Sequence, residues 1–429
     1  MSWFPPGRAT STHRARHSIL LVSALAATAA LSACGDASDS GGGGGSASAD
    51  CSSPAPGVTD DSVKVAIIAP LTGPSASTFS GFADAVEARI DAFNEEGGLD
   101  GRTIEVVRED DMGDGATQTT AARAAVQAEQ VFGIITASRV DTMYDYLKGQ
   151  NVPVLGNMTP LAYAEDENAF GYAGGSNIGW TTTNLAERMV EAGATNIAVI
   201  GHNSPAAVAG IDAFADTAGD VGLDIGVTVT DIPLGSFDAT ATAIQLKEAG
   251  IDSIYGLTLA DSAVSVIRAL NAQGVELKTG NFFGLYDPVV ANQVSDDIQG
   301  ITTTATGLRP LEAGGEGVEQ YLADMEKYRP DAEPAGGFTS GGYVSADLFI
   351  RGLEEAGDCL TRDSFISGLR AVDDFDGAGL TAADNISFTG GLNPNGSDPY
   401  NECEWYVTRE GDAWVADDAA FCSDPKKIG

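Results

Sequence analysis

Basic residues, histidine and cysteine are all scarce in this chain, and each scarcity removes a class of function. Lys and Arg number 23 against 61 Asp and Glu in 429 residues, a formal charge of −38. Such a body repels nucleic acid and anionic lipid head groups, which excludes a DNA-binding or polybasic membrane-surface role. Of the three histidines, only His202 lies beyond residue 17. A single histidine could serve a triad, but no Gly-x-Ser-x-Gly elbow accompanies it. The five cysteines include no Cys-x-x-Cys pair, so a metal centre is not expected. Glu109, Asp110, Asp111 and Asp114 lack the ligand spacing of a calcium loop and read as a cap for a helix starting near 116. The glycines at 41–45 are followed by no Lys, so they are a tether rather than a phosphate cradle. No catalytic residue, cofactor or metal is expected.

What is present begins at the N-terminus. Arg8, Arg14 and Arg16 precede the apolar run Ile19–Leu31, then Leu31-Ser32-Ala33-Cys34. A basic flank, an apolar core of about 13 residues and small residues at the boundary make an export signal. The run is shorter than the roughly 20 residues a membrane-spanning helix needs. Cys34 at that boundary resembles the bacterial lipobox, which implies lipidation of Cys34 after cleavage. Residues 1–33 are then the signal and 34–60 a Gly/Ser/Ala/Asp/Pro-rich tether with a reach of roughly 28 Å. The expected location is the outer face of the cytoplasmic membrane, held there by the lipid.

After Cys34, four cysteines remain, enough for two disulfides in one of three connectivities. Cys403 and Cys422 bracket two alternating segments around Gly411, so a bridge closing that hairpin is the first choice. Cys51 with Cys359 follows from it. The body itself alternates strands and helices. Val63–Ala69, 103–108, 131–136, 152–155, 197–200, 225–229, 253–257, 281–284 and 301–304 read as strands. Residues 79–94, 116–129, 144–150, 180–192, 206–218, 239–249, 261–273 and 287–295 read as helices, as do 315–328, 338–356 and 361–371. This βαβ rhythm predicts an α/β protein with more strands than one small open sheet holds. Composition changes near 170–178 and 305–315 suggest crossings between two lobes. The expected division is 61–176 plus 307–378 for the first lobe and 177–306 plus 379–429 for the second, with its terminal hairpin.

Residues 63–111, VKVAIIAPLTGPSASTFSGFADAVEARIDAFNEEGGLDGRTIEVVREDD, carry a recognisable unit. A strand leads to Leu-Thr-Gly-Pro, a helix ends in Asn, Gly-Gly-x-x-Gly turns back, and a second strand ends in an acidic pair. This unit resembles the type I periplasmic binding proteins, in particular the Leu/Ile/Val-type substrate-binding lipoproteins of ABC importers. The likeness extends over most of 61–415. It implies two doubly wound parallel-sheet lobes joined by three hinge crossings, with a ligand cleft between them. It further implies a monomeric receptor that captures an amino-acid-like or carboxylate-bearing small molecule and delivers it to ABC permease subunits. Sensing for a membrane receptor, or an aromatic acid or amide as ligand, are the alternatives.

The resemblance places the cleft on strand-end loops. Phe79 falls at the aromatic position after the Gly-Pro turn. Ser138 and Arg139 fall on the loop after the third strand, and Asn157, Met158 and Thr159 on the next. His202 and Asn203 stand where the family has a Tyr-Gly pair. Thr258, Tyr286 and Asp287 occupy further strand ends, with Asp287 the candidate to hold an ammonium group and Tyr286 a wall.

Overall fold

Apolar runs bury as strands here because both faces of each sheet are covered. Every side chain of β1 (Ser62–Ala69) except Lys64 is buried. This strand lies within a five-stranded sheet with β2 (Thr103–Asp110), β3 (Gly133–Thr136), β4 (Val154–Gly156) and β5 (Ala169–Gly171), in the order 2-1-3-4-5. All of its pairings are parallel. Helix α1 (Phe82–Glu95) packs on one face, while α2 (Gly115–Gln127), α3 (Tyr144–Gly149) and α4 (Ala162–Glu165) pack on the other. The computed structural model describes residues 55–427 apart from 158, 159, 161, 173–179, 234, 283, 306, 358, 384, 390–402 and 424. Cys34, Cys51, Met158 and Thr159 therefore lie outside the described residues.

A second unit repeats the scheme. After β6 (Trp180–Thr182) and α5 (Asn184–Glu191) come β7 (Asn196–Gly201), α6 (Pro205–Asp220), β8 (Asp224–Val229) and α7 (Thr240–Glu248). Then follow β9 (Ser253–Leu257), α8 (Ala260–Ala272), β10 (Thr279–Phe282), α9 (Pro288–Ala291) and β11 (Thr302–Thr304). Strands β8-β7-β9-β10 form a parallel sheet whose order matches β2-β1-β3-β4. Helices α5 and α6 cover one face, and α7 and α8 the other.

The chain then returns to the first core with α10 (Glu316–Tyr328), α11 (Gly337–Glu355) and α12 (Arg362–Leu369). It ends in β12 (Cys403–Glu404), β13 (Tyr406–Glu410), β14 (Ala413–Ala416), β15 (Phe421–Cys422) and β16 (Pro425–Lys427). Strands β13 and β14 form the expected hairpin and extend β11 antiparallel. Cys403 is bonded to Cys422 across the β12–β15 pair. Cys359 is also in a disulfide.

Three expected elements differ. The first helix starts at Phe82 rather than 79, because Gly81 takes the left-handed conformation (φ 81°) and residues 73–79 coil into turns. The segment 180–192 is not one helix, because Trp180–Thr182 pairs with β16 from the far end of the chain. The segment 287–295 holds only one turn, Pro288–Ala291, before a 3₁₀ turn at Ser295–Asp297.

Two crossings between the cores run side by side. Arg309 N–H donates to the Leu380 carbonyl at 2.7 Å, and Ala382 N–H to the Gly307 carbonyl at 3.0 Å. Gly307 N–H donates to Glu404 Oε1 at 2.8 Å, which ties this ribbon to β12. Burial pushes the Glu404 carboxyl up to about 7, although the Gly307 and Trp405 backbone N–H groups pull the other way. A folded-state acid raised above its unfolded value stabilises the fold below the unfolded pKa and loses that contribution as pH rises through the folded value. Wild-type protein should therefore lose several degrees of melting temperature relative to Glu404→Gln as pH rises from 6 to 8. Melting curves of the two proteins that stay parallel over that range would show that the carboxyl is not perturbed.

Candidate ligand-binding site

In an open parallel sheet, ligands bind beyond the C-terminal strand ends, where successive crossovers diverge to opposite faces. The strand orders put that divergence between β1 and β3 in one sheet and between β7 and β9 in the other. The loops leaving these four strands meet. Ala260 N–H, at the start of α8 after β9, donates to Thr78 Oγ1 on the loop after β1 at 3.4 Å. Arg139, three residues beyond the end of β3, acts electrostatically on Tyr255 of β9 and on His202 after β7. The two crevices thus face each other.

The expected site residues take distinct places. Phe79 is buried and packs against Phe338 of α11, ring centres 4.7 Å apart. It forms a wall between the β1 loop and the start of that helix, where Thr339 Oγ1 donates to the Ser80 carbonyl. Ser138 is buried near Asp111, and its Oγ accepts Val140 N–H at 3.5 Å. Asp111 accepts from Gly113 N–H at 2.9 Å and Gln118 Nε2 at 3.2 Å, and burial raises its pKa. Arg139 is half-buried; burial pulls its pKa down to about 10, opposed by Tyr255, so it is cationic at neutral pH.

Asn157 follows β4 directly. Thr136 and Gly156 are register partners, so the chain leaves β3 and β4 side by side, placing Asn157 beside the loop that carries Arg139. Its Oδ1 is buried and has no hydrogen-bond partner among the described residues. Across the crevice, the fully buried Thr258 has an Oγ1 in the same condition. An unmet buried polar atom costs roughly 1–3 kcal/mol, so two of them at facing strand ends mark a place where a ligand's groups would be taken.

His202 does something else. Its Nδ1 lies 2.7 Å from the Ile232 carbonyl, and its Nε2 accepts Leu259 N–H at 2.8 Å. Accepting at Nε2 requires that nitrogen to be unprotonated, so the ring is neutral with its proton on Nδ1. It clips the β7 loop to the β9 loop. Asn203 next to it is exposed. Tyr286 donates to Glu312 Oε2 at 2.6 Å and accepts Leu311 N–H at 2.9 Å, so its hydroxyl braces the crossing segment. Asp287 is buried, accepts Val290 N–H at 3.4 Å, and stands against Gly336, where a Cβ would lie 3.1 Å from Oδ2.

Sequence reasoning missed Thr78, Tyr255, Tyr172 and Gly341. Thr78 and Tyr255 sit one or two residues from recognised turns and strand ends, a signal that could have found them. Tyr172 and Gly341 meet Asn157 only through tertiary contact. A cavity of about 440 Å³ lined by Arg309, Thr381, Trp405 and the Cys403–Cys422 bridge lies beside the crossings rather than at the strand ends.

Two parallel sheets with opposed switch points define a two-sheet binding-protein architecture. Residues 62–392 match the periplasmic binding protein family model, and the chain belongs to that family. Binding proteins of this family take small molecules and work with ABC permeases. The chain is 23% identical over 309 residues to the leucine-, isoleucine-, valine-, threonine- and alanine-binding protein of Pseudomonas aeruginosa, covering 70% of this chain and 79% of that one. Its fold resembles a fatty acid ABC transporter substrate-binding protein from Thermomonospora curvata (TM-score 0.71, 18% identity, covering 87% of this chain and 95% of that one). It also resembles a branched-chain amino acid ABC transporter from Thermus thermophilus with bound valine (TM-score 0.70, 17% identity, 85% and 98%). A third likeness is to a solute-binding protein from R. palustris in complex with benzoate (TM-score 0.67, 16% identity, 85% and 98%).

The neutral state of His202 has a consequence in solution. Burial, with a further contribution from Arg139, lowers its pKa below 6.5, opposed by the bond to Ile232. The unfolded chain takes up the proton near pH 6.5 and the folded chain only at lower pH, so stability falls as pH drops below about 6.5. In chemical unfolding between pH 7.5 and 5.5, wild type should lose more stability than His202→Asn, which has no proton to gain. An equal loss in both proteins would show that the clip does not titrate.

Proposed function

We propose that this protein is an extracytoplasmic receptor that binds a small carboxylate with an apolar body between its two sheets and delivers it to an ABC permease. One observation carries the reading: loops from both switch points converge around cationic Arg139, with the buried, unmet Asn157 Oδ1 and Thr258 Oγ1 on opposite sides. The ligands named for the relatives are amino acids, a fatty acid and benzoate, which share an acid group attached to an apolar part. Arg139 is the group that would take the acid, and the Phe79–Phe338 pair an apolar wall. Nothing in this role requires chemistry on the ligand.

In this reading the sheets belong to two lobes, divided near 176, 307 and 378, and the paired crossings are the hinge. Closure is driven only by the ligand's greater affinity for the closed form. Lipidation at Cys34 is supported by the boundary sequence Leu31-Ser32-Ala33-Cys34, and the tether would keep a monomeric receptor close to the permease.

A binding screen by thermal shift tests the reading. The panel is leucine, isoleucine, valine, benzoate, decanoate, leucinamide and a dipeptide. A ligand at a hundred times its Kd adds about 2.7 kcal/mol to stability, which appears as a saturable rise in melting temperature. At least one acid of the panel should produce it, and Arg139→Gln should abolish it. Stabilisation by leucinamide but by no member that carries a carboxylate would overturn the carboxylate assignment, and no stabilisation by any member would overturn the receptor reading.

A further inference from the structure

The cavity beside the crossings is walled by the segments that join the two cores. Arg309 comes from one crossing, and Thr381 and Ala382 come from its neighbour. Cys403 and Trp405 come from β12 and the residue after it, and Ala420 from the loop before β15. Its volume of about 440 Å³ lies within the roughly 300–1,000 Å³ range of small-molecule sites. None of Phe79, Arg139, Asn157 and Thr258 lines it, so it is separate from the strand-end crevice.

The cation in this wall stands apart from most others in the chain. Acids outnumber Lys and Arg by 61 to 23, so carboxylate partners are plentiful. Arg89, Arg108, Arg188, Arg329 and Arg351 each hold one. Arg309 holds none among the described residues, and its buried Nε has no hydrogen-bond partner there. Packing fixes it instead. Its Cζ lies over the Trp405 ring, 5.3 Å from the centroid, and against Gly315, where a Cβ would stand 3.4 Å from Cζ. Its backbone N–H is tied to the Leu380 carbonyl at 2.7 Å. The guanidinium is thus positioned without being neutralised.

The other polar groups of the wall leave that charge in place. Thr381 Oγ1 lies 2.7 Å from the Asp376 carbonyl and 2.6 Å from the Ala383 carbonyl, so its single proton is spent within the crossing. Asp418, the one carboxylate among the described lining residues, is exposed, where water and salt screen it. Trp405, Ala382, Ala420 and the Cys403–Cys422 bridge make the rest of the wall largely apolar. A guanidinium offers paired N–H donors in one plane, the geometry a carboxylate accepts, and an indole packs well on a flat ring.

We propose that this cavity is a second binding site, for a small aromatic carboxylate whose acid group pairs with Arg309 and whose rings lie against the Trp405 side of the wall. It shares no residue with the crevice, so it goes beyond the receptor reading and does not depend on it.

Fluorine NMR of the intact protein, with 5-fluorotryptophan at its four tryptophans, reads the site directly. Trp405→Phe assigns the Trp405 resonance. The probes are 2-naphthoate and its uncharged isostere 2-naphthamide, titrated into wild type, Arg139→Gln and Arg309→Gln; Arg139→Gln removes any signal relayed from an acid in the crevice. In wild type and Arg139→Gln, 2-naphthoate should shift the Trp405 resonance saturably and bind at least about tenfold more tightly than 2-naphthamide. In Arg309→Gln the acid should weaken at least about tenfold, to the level of the amide. The acid-to-amide ratio read at Trp405 decides alone if a variant does not fold. Absence of a saturable Trp405 shift in Arg139→Gln overturns the proposal, as does a smaller acid-to-amide ratio or an affinity unchanged in Arg309→Gln. The crevice is judged by stabilisation that depends on Arg139 and this cavity by a Trp405 shift that depends on Arg309, so each can fail alone.

Discussion

Each sheet leaves a crevice beyond its strand ends because its crossovers diverge on either side of one strand pair, β1/β3 or β7/β9. Everything at the candidate site depends on how those two crevices are held open and opposed. The neutral His202 ring fixes the second one by joining the β7 loop to the β9 loop through Leu259 and to the segment after β8 through Ile232. The Asp111 carboxylate fixes the first by gathering Gly113 and Gln118. In both cases a polar group is fully occupied in shaping a loop, and this separates it from the groups that remain available. Asp110 works similarly at the rim, accepting from Leu71, Thr72 and Met112 backbone N–H groups.

Charge distribution makes the same separation. The chain carries −38, so its far field repels an anionic ligand. At physiological ionic strength that field is screened within about 8 Å, whereas a cation in a half-buried crevice acts through a lower dielectric. In the proposed function, capture of an acid by Arg139 is therefore a short-range event. A guanidinium already drawn down by burial gains more from a carboxylate than an exposed one would, because the desolvation cost has been met on folding.

Much of this was legible before any coordinates. The run VKVAIIA is buried on both faces, the Asp114 cap forms with Thr117 N–H, and Cys403 pairs with Cys422. These are local signals: apolar runs, capping residues, and two cysteines flanking a turn. Non-local pairing was not legible. Nothing in Trp180–Thr182 says that its partner is the chain's last strand, and nothing in the order of residues says that Gly341 of α11 meets Asn157. The site followed the same rule. Loop positions could be placed from strand ends, but that Asn157 stands against Gly341 beside Tyr172 is something only geometry reveals.

Polarity, more than position, is what distinguishes this crevice. Phe79, Arg139 and Thr258 mark out a space that many acids would fit, and apolar contact alone separates such ligands by only about 1–3 kcal/mol per methylene. A buried polar atom left unmet, as Thr258 Oγ1 is among the described residues, works differently, because a wrong ligand leaves it unmet and a right one removes a cost present in the ligand-free protein. That cost raises the free energy of the empty closed form relative to the liganded one. In the proposed function, an atom of that kind would also favour closure on cargo over closure on an empty site, which is the distinction a permease needs its receptor to make.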